Sequence, residues 1–509
     1  MKIKRFLAIA LCAIMFVMPM FTVACSGGGD DDPLGKVVDD LEFNEYGEPI
    51  FNNVKLKVWS IIGNPDDTYF AQVNTMFNDY YRSNGVTATV SPIANADFYT
   101  QLANTLNTDP DNAPDVVIFH SERLPMLAAA DILLPMDSFY AALGDNNTFS
   151  KNNYVQTVMD ECIYNGKLYG VPLDMHAGVW YCRQDILEKN GLSVPHTLSE
   201  FVEVNNALID LYKRGELWYR GLEKTTWTKT KDFGADYTPI VMSSLGGIEI
   251  GWIPQTAVLQ NGGKLTKSNG YPDWNTQGLE DVMSMLRDWQ NGTGDFKGTP
   301  YKGKFVDPQS DYNTVWSNLA SGKSVFSFEG TWWAESRLNE YEETLGNKTA
   351  GDANGNTYQP LTIISPSKMF ALDETKPYAS NVYGVGHCVS ICRSVTSKTK
   401  CVAAALYAQF VTENSEEYTR GGHLPANVKV LNSDKLKSMS HYNRYLTKMG
   451  NPDDFVMLGG TKYYGAVYEM LKNVYVDVFA PSTKSVTVKQ IIAANYAEAL
   501  DMIDAEEGL

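Results

Sequence analysis

The sequence predicts an α/β protein of two lobes, each a mostly parallel sheet covered by helices. Three observations carry this. The 509-residue length exceeds one ordinary domain. Residues 54–120 alternate between strand and helix patterns, as in a helix-covered parallel sheet. After a long, mainly helical stretch, strand patterning returns at 361–391, which suggests that the chain rejoins its first sheet.

Taken in order, "VKLKV" (54–58) alternates like a half-buried strand. Tyr69, Phe70, Val73, Met76, Phe77, Tyr80 and Tyr81 then recur at helical spacing, and Asn84-Gly85 ends that helix. "VTATVSPI" is a second strand, Phe98, Leu102 and Leu106 mark a second helix, and "PDVVIFHSE" opens as a third strand. "YNGKLYGVPLD" turns at Asn165-Gly166 into another strand, and "AGVWYCR" is one more. A helix spans roughly Leu198 to Lys213 and stops at Gly215. Residues 216–240 read as an insertion. Leu279, Val282, Met283, Leu286 and Trp289 define a further helix, and "TVWSNLASGK" a short one leading into "SVFSFEGTWWAESR". "LTIISP" and "VYGVGHCVSI" are strands, Lys400 to Val411 a helix, and the remainder is largely helical, with strong spacing from Tyr464 to Val474. The helix aromatics Tyr80, Tyr81, Trp289 and Trp316 are assigned to core.

The N-terminus is a targeting segment. Lys2, Lys4 and Arg5 precede a long apolar run, and "TVAC" resembles the bacterial lipobox. That makes residues 1–24 a lipoprotein signal peptide, Cys25 the lipidated residue and 25–52 a flexible tether. A membrane-spanning helix is the alternative, which Pro19 and the small residues before Cys25 oppose.

The formal charge of −18, without a Lys/Arg-rich run past the extreme N-terminus, excludes nucleic acid as a partner. Cys162, Cys182, Cys388, Cys392 and Cys401 remain after processing. An odd number without CxxC spacing points to buried thiols, with one disulfide still open. The six histidines show no metal-ligand spacing, and neither metal nor cofactor is expected. "DANGNTY" (352–358) opens like a calcium loop but lacks glycine at position six and has Ile363 at position twelve, so it reads as a turn. No nucleophile elbow, P-loop or dinucleotide fingerprint occurs. Among 60 acidic residues a carboxylate pair stays open, and with it a surface glycoside hydrolase.

Loops after strands are rich in aromatic and polar residues: "WSIIGNPDD", "HSE", "LDMHAGVWY", "SLGGIEIGW", "EGTWW" and "ASNVYG". Ligands of open α/β sheets bind beyond the carboxyl ends of strands. Trp and Tyr faces with Asp, Glu, His and Asn suit a neutral polyhydroxylated ligand, and these loops hold few cations.

"GKSVFSFEGTWWAES" resembles the G-K-x-A-M, strand, N-G-x-W segment of bacterial ABC-transporter sugar-binding lipoproteins. "NGKLYGVPLDMHAGVWYCRQDILEKNGL" is similar to their K-x-Y-G-x-P segment, and "GGHLPAN" to their G-x-x-P-A turn. With the lipobox, the chain is identified as a member of the extracellular solute-binding family that includes maltose-binding protein. Glu329, where Asn is commoner, and the 216–240 insertion depart from the pattern.

The resemblance implies a two-lobe periplasmic-binding-protein-like fold (type II): 53–172 with 362–412 as N-lobe, 173–361 with 413–509 as C-lobe, and hinges near Pro172, Thr362 and Thr412. It implies a monomer, tethered outside the cell, that captures a carbohydrate and delivers it to ABC permease subunits without catalysis. The same fold binding a polyamine, peptide or iron is the other reading. Residues assigned to ligand are Trp59, Asp66, Glu122, Asp174, His176, Tyr181, Trp252, Trp332, Asn381, Tyr383 and Tyr464. Trp180 and Tyr181 alternate, so one alone can face a cleft. The adjacent rings of Trp332 and Trp333 also diverge; Trp332 is assigned to ligand, Trp333 to the lobe, with Thr331 capping the next helix. Both tryptophans in the core is the alternative.

Overall fold

The computed structural model describes residues 41–508 apart from 46, 65, 231, 234–236, 245–248, 310–311 and 347–358. The signal segment, Cys25, the first part of the tether and the 352–358 turn lie outside the described residues, whereas the last part of the expected tether is ordered: Glu42–Phe43 pairs with Pro49–Ile50, and Phe51 is buried in apolar core.

Thirteen strands position the site: β1 (Val54–Ser60), β2 (Val86–Pro92), β3 (Val116–His120), β4 (Gly170–Pro172), β5 (Asp174–Cys182), β6 (Ile240–Ser243), β7 (Val306–Gln309), β8 (Phe326–Gly330), β9 (Thr362–Ile364), β10 (Val382–Val385), β11 (His387–Ile391), β12 (Leu424–Pro425) and β13 (Phe455–Val456). The first sheet has the order β2-β1-β3-β11-β4. β1 runs parallel to β2 and β3, while β11 runs antiparallel to β3 and β4. The apolar run "VVIF" of β3 is buried throughout, as a strand covered on both faces must be. The second sheet follows β7-β6-β8-β5-β10-β13, with β9 and β12 also paired to β5. Here β6 is parallel to β7 and β8, but β5 runs against β8, β9, β10 and β12.

That antiparallel centre follows from how the sheets are joined. The chain leaves β4 in the first sheet, passes Leu173 and continues as β5 in the second. It returns from β10 to β11 through Gly386. The two crossings lie side by side, since Val385 pairs with His176 and Cys388 with Pro172. The first crossing falls where the hinge near Pro172 was expected. The second lies at Gly386, whereas β9 at Thr362 pairs with Cys182–Trp180 in the second sheet. An apolar run such as "LTIISP" carries strand character but no information on which sheet accepts it.

Two apolar cores flank the crossings. One gathers Val58, Phe77, Val117 and Tyr407 and takes in residues 418–457; the other surrounds Trp180, Phe201 and Trp289 and takes in 458–503. The helix Asp66–Tyr81 buries Phe70, Val73 and Phe77. Tyr80, expected in the core, is 54% exposed and donates its hydroxyl to Glu48 at 3.0 Å, because it sits one position off the buried stripe. The helix Leu198–Arg214 is capped by Thr197 and closed by Gly215 at φ 69°. Asn165 and Gly166, both at positive φ, turn Ile163–Tyr164 back onto Lys167–Leu168. Within 216–240, Leu217–Tyr219 and Thr228–Thr230 pair as a ribbon. The five cysteines are free and buried.

Candidate functional site

The functional side chains collect where the crossings meet the carboxyl end of β3. That strand ends at His120 and runs into a short turn, Ser121–Arg123. His387, opening β11, pairs with His120, and their rings stack at 4.8 Å. On β5 the two-residue repeat sets Asp174, His176 and Gly178 in a row on one face. His423 arrives just before β12.

Asp174 is fully buried and accepts from the His387 backbone N–H at 2.8 Å. Its oxygens lie 2.8 Å from His387 Nδ1 and 3.3 Å from both His176 Nδ1 and His423 Nδ1. Burial alone would raise its pKa; the His387 and His423 rings and the hydrogen bonds from His176 and His387 outweigh that and hold it well below the usual carboxylate range. Burial pushes His176 down to about 3 and His423 to about 4, so both rings are neutral at pH 7. Asp66 sits 3.1 Å from His423 Nε2, and its burial pushes it well above the ordinary range.

The second lobe contributes two indoles. Trp252 comes from the helix Glu249–Gln260 and Trp332 from the turn Thr331–Trp333. Their rings stand perpendicular, 85° at 5.5 Å, and both lie about one ring from His176, at 6.0 and 5.9 Å. Space for them is made by two opposed glycines, Gly178 and Gly330. A Cβ on Gly178 would come within 2.5 Å of the Phe328 ring and 2.9 Å of Trp252; one on Gly330 would meet the Trp332 ring at 2.2 Å.

The lobes also touch through Arg123, whose guanidinium lies over Tyr99 at 4.4 Å and Tyr464 at 4.1 Å, with Glu469 at 3.9 Å. Tyr464 in turn stacks on Tyr468. Beside Arg123, burial raises Glu122 to about 8, with Glu161 adding to the rise and Arg123 opposing it. Buried atoms around this junction that have no hydrogen-bond partner in the protein include Glu122 Oε2, Trp252 Nε1, Tyr383 Oη and Asp66 Oδ1.

Of the residues assigned from sequence, the structure brings together Asp66, Glu122, Asp174, His176, Trp252, Trp332, Tyr383 and Tyr464. Trp59 is half-buried against the first core, and Asn381 half-buried at the end of the Pro377–Ser380 turn. Tyr181 packs on Trp316 at 5.2 Å and donates its hydroxyl to Gly330 O, inside the first core; Trp180 fills the second. A crossing strand is covered on both faces, so neither aromatic reaches the junction. Trp332 and Trp333 do diverge: Trp333 packs near Trp316 and Arg337 while remaining half-buried. Thr331 does not cap a helix; residues 331–333 form a 3-10 turn and the helix begins at Ala334. His120, His387, His423 and Arg123 escaped the sequence reading, because their partners lie up to 357 positions away in sequence. "GGHLPAN" contains His423, yet only its turn was legible.

Residues 75–443 match the family described as bacterial extracellular solute-binding protein. The chain belongs to that family. Among solved structures it is similar to the GacH receptor of Streptomyces glaucescens, at 13% identity, covering 88% of this chain and 98% of that one with a TM-score of 0.63. The sugar-binding protein MalE of Xanthomonas citri matches at 15% identity over 89% and 99% of the two chains, TM-score 0.63. An ABC substrate-binding protein of Listeria monocytogenes, solved with cycloalternan, matches at 13% identity over 89% and 99%, TM-score 0.62. The solute-binding fold of two lobes about crossing strands is therefore that of this chain, and the junction described above lies where its lobes meet.

Glu122 makes a testable contribution to the pH dependence of this solute-binding protein. Its folded pKa lies above the unfolded value, so the folded state holds the proton more tightly. The stability it confers is complete below about pH 4.5 and is lost as pH rises toward about 8. Glu122→Gln is expected to flatten that decline, gaining on the order of a few kcal/mol over wild type at pH 9 but little at pH 5. Melting curves across this range check it; parallel curves for both proteins would contradict the assignment.

Proposed function

We propose that the chain captures a carbohydrate of oligosaccharide size outside the cell and presents it to an ABC permease, without catalysis. The observation that carries this reading is the perpendicular Trp252–Trp332 pair set beside buried polar atoms that the protein leaves unpartnered. An indole face takes the C–H face of a pyranose, and Glu122, Tyr383 and Trp252 offer acceptor and donor atoms to hydroxyls. Arg123 gives no preference for an anion, since two tyrosine faces and Glu469 already engage it. The cycloalternan complex and the sugar-binding protein among the similar structures support the same reading. The lobe division forms part of the proposal, with the boundary expected near Thr362 moved to Gly386: 53–172 with 387–412 as N-lobe and the rest of the folded chain as C-lobe, while 418–457 packs in the first core yet pairs with the second sheet through β12 and β13.

A melting screen of the mature protein against neutral oligosaccharides, polyamines, peptides and iron chelates tests the ligand class. A sugar at 100 times its dissociation constant should add about 2.7 kcal/mol of stability. A silent sugar panel with a response elsewhere overturns the proposal, and cleavage products from any glycan would replace it with hydrolysis.

Trp332→Ala should fold normally and lose at least about 2 kcal/mol of sugar affinity, more than tenfold. Trp333→Ala should retain affinity and lose less stability than the about 3–5 kcal/mol of a fully buried aromatic, because Trp333 is half-buried. Calorimetric titration with parallel melting curves separates the two; intact affinity in Trp332→Ala would remove it from the site.

The tether belongs to the same proposal, with Cys25 carrying the lipid. Cys25→Ala should yield unacylated protein that leaves the membrane fraction and binds its ligand as before. Metabolic labelling with a fatty-acid analogue reads this, and an acylated Cys25→Ala product would refute it.

A further inference from the structure

Beneath the tryptophan pair, donors from three chain segments converge on one point. Asp174 and His176 lie on β5, His387 opens β11 and His423 precedes β12. One ligand atom from each lies within 4.8 Å of all the others, and the four side chains are buried. The separations are short: His176 Nδ1 and His423 Nδ1 are 3.3 Å apart, His176 Nδ1 is 3.3 Å from Asp174 Oδ1, and His423 Nδ1 is 3.3 Å from Asp174 Oδ2. A tetrahedral ion with ligands at about 2.0–2.2 Å sets neighbouring ligand atoms roughly 3.3–3.6 Å apart. His387 Nδ1 completes the set at 2.8 Å from Asp174 Oδ2.

Hydrogen counting points the same way. A neutral imidazole carries one N–H. His423 presents Nε2 to Asp66 at 3.1 Å and Nδ1 to Asp174 at 3.3 Å, an acidic side chain on each ring nitrogen. With the N–H directed at Asp66, the Nδ1 lone pair faces the Asp174 oxygen and His176 Nδ1, an arrangement of electron pairs that a cation between them satisfies. A carboxylate on the far nitrogen of a ligating histidine is the usual outer support of a metal-bound imidazole.

We propose that Asp174, His176, His387 and His423 hold a divalent transition-metal ion of the zinc class, with Asp66 orienting His423. Three nitrogens and one carboxylate suit zinc, cobalt or nickel, whereas calcium and magnesium take oxygen ligands. Four protein ligands fill a tetrahedral shell, so the ion braces structure. It joins the two crossings at Leu173 and Gly386 to the segment entering β12, and so ties together the strands about which the lobes would move. This site stands independently of the ligand class proposed above.

The test uses untagged mature protein, stripped with a chelator and dialysed. Titration with cobalt(II) should give the visible bands of tetrahedral coordination at one ion per chain, displaced by zinc(II). Zinc should raise the melting temperature, and magnesium or calcium should not. His176→Ala and His387→Ala should abolish the cobalt bands, while His196→Ala, at an exposed position, should keep them. Asp66→Asn should weaken zinc about 10–100-fold while leaving the tetrahedral spectrum. Where a histidine variant fails to fold, the wild-type spectrum and Asp66→Asn still decide. Absence of cobalt bands in wild type, an octahedral spectrum, or binding unchanged in folded His176→Ala overturns the site. Sugar titrations repeated with and without chelator report separately on the carbohydrate reading.

Discussion

A carboxylate with no access to water must find every partner inside the protein, and Asp174 imposes that requirement on the whole molecule. It stands at the first residue of β5, where the chain passes from one sheet to the other. Its partners come from β5 itself, from β11 and from the segment before β12. Meeting its needs therefore brings three distant stretches to one place. The side-by-side crossings at Leu173 and Gly386, the antiparallel centre of the second sheet and the histidine cluster all share this residue as their common point.

Packing around that point is set by what is missing. Gly178 and Gly330 face one another across β5 and β8, and the volume they leave is taken by Phe328, Trp252 and Trp332. A close-packed interior transmits such a demand directly: a single methyl on either strand would displace an aromatic ring at the junction. The indoles thus owe their perpendicular arrangement to backbone spacing as much as to their own contacts.

The sequence made local features legible and long-range ones opaque. Helix spacing at Phe70, Val73 and Phe77, the helix stop at Gly215, and the Asn165-Gly166 turn were readable because each depends on neighbours a few residues away. The order of strands and family-like segments likewise conveyed the fold. Tyr181 misled because alternation on a strand says which faces differ, not which face is open; a crossing strand has none. The histidines at 120, 176, 387 and 423 carried no signal at all in their spacing. Their proximity is a product of topology, and of pairings such as His120 with His387 that no window of sequence contains.

Arg123 has a thermodynamic consequence. Its charge is held between the flat faces of Tyr99 in one lobe and Tyr464 in the other, where salt screens it less than it would a pair in open water. A contact of this kind between lobes favours whichever arrangement keeps the two rings together, with or without a solute. A solute that enters only the open form has its apparent affinity reduced by the fraction of molecules that are open. In a solute-binding protein that opens about its crossing strands, the concentration at which it fills would then be set partly by a cation between two rings that need never touch the solute.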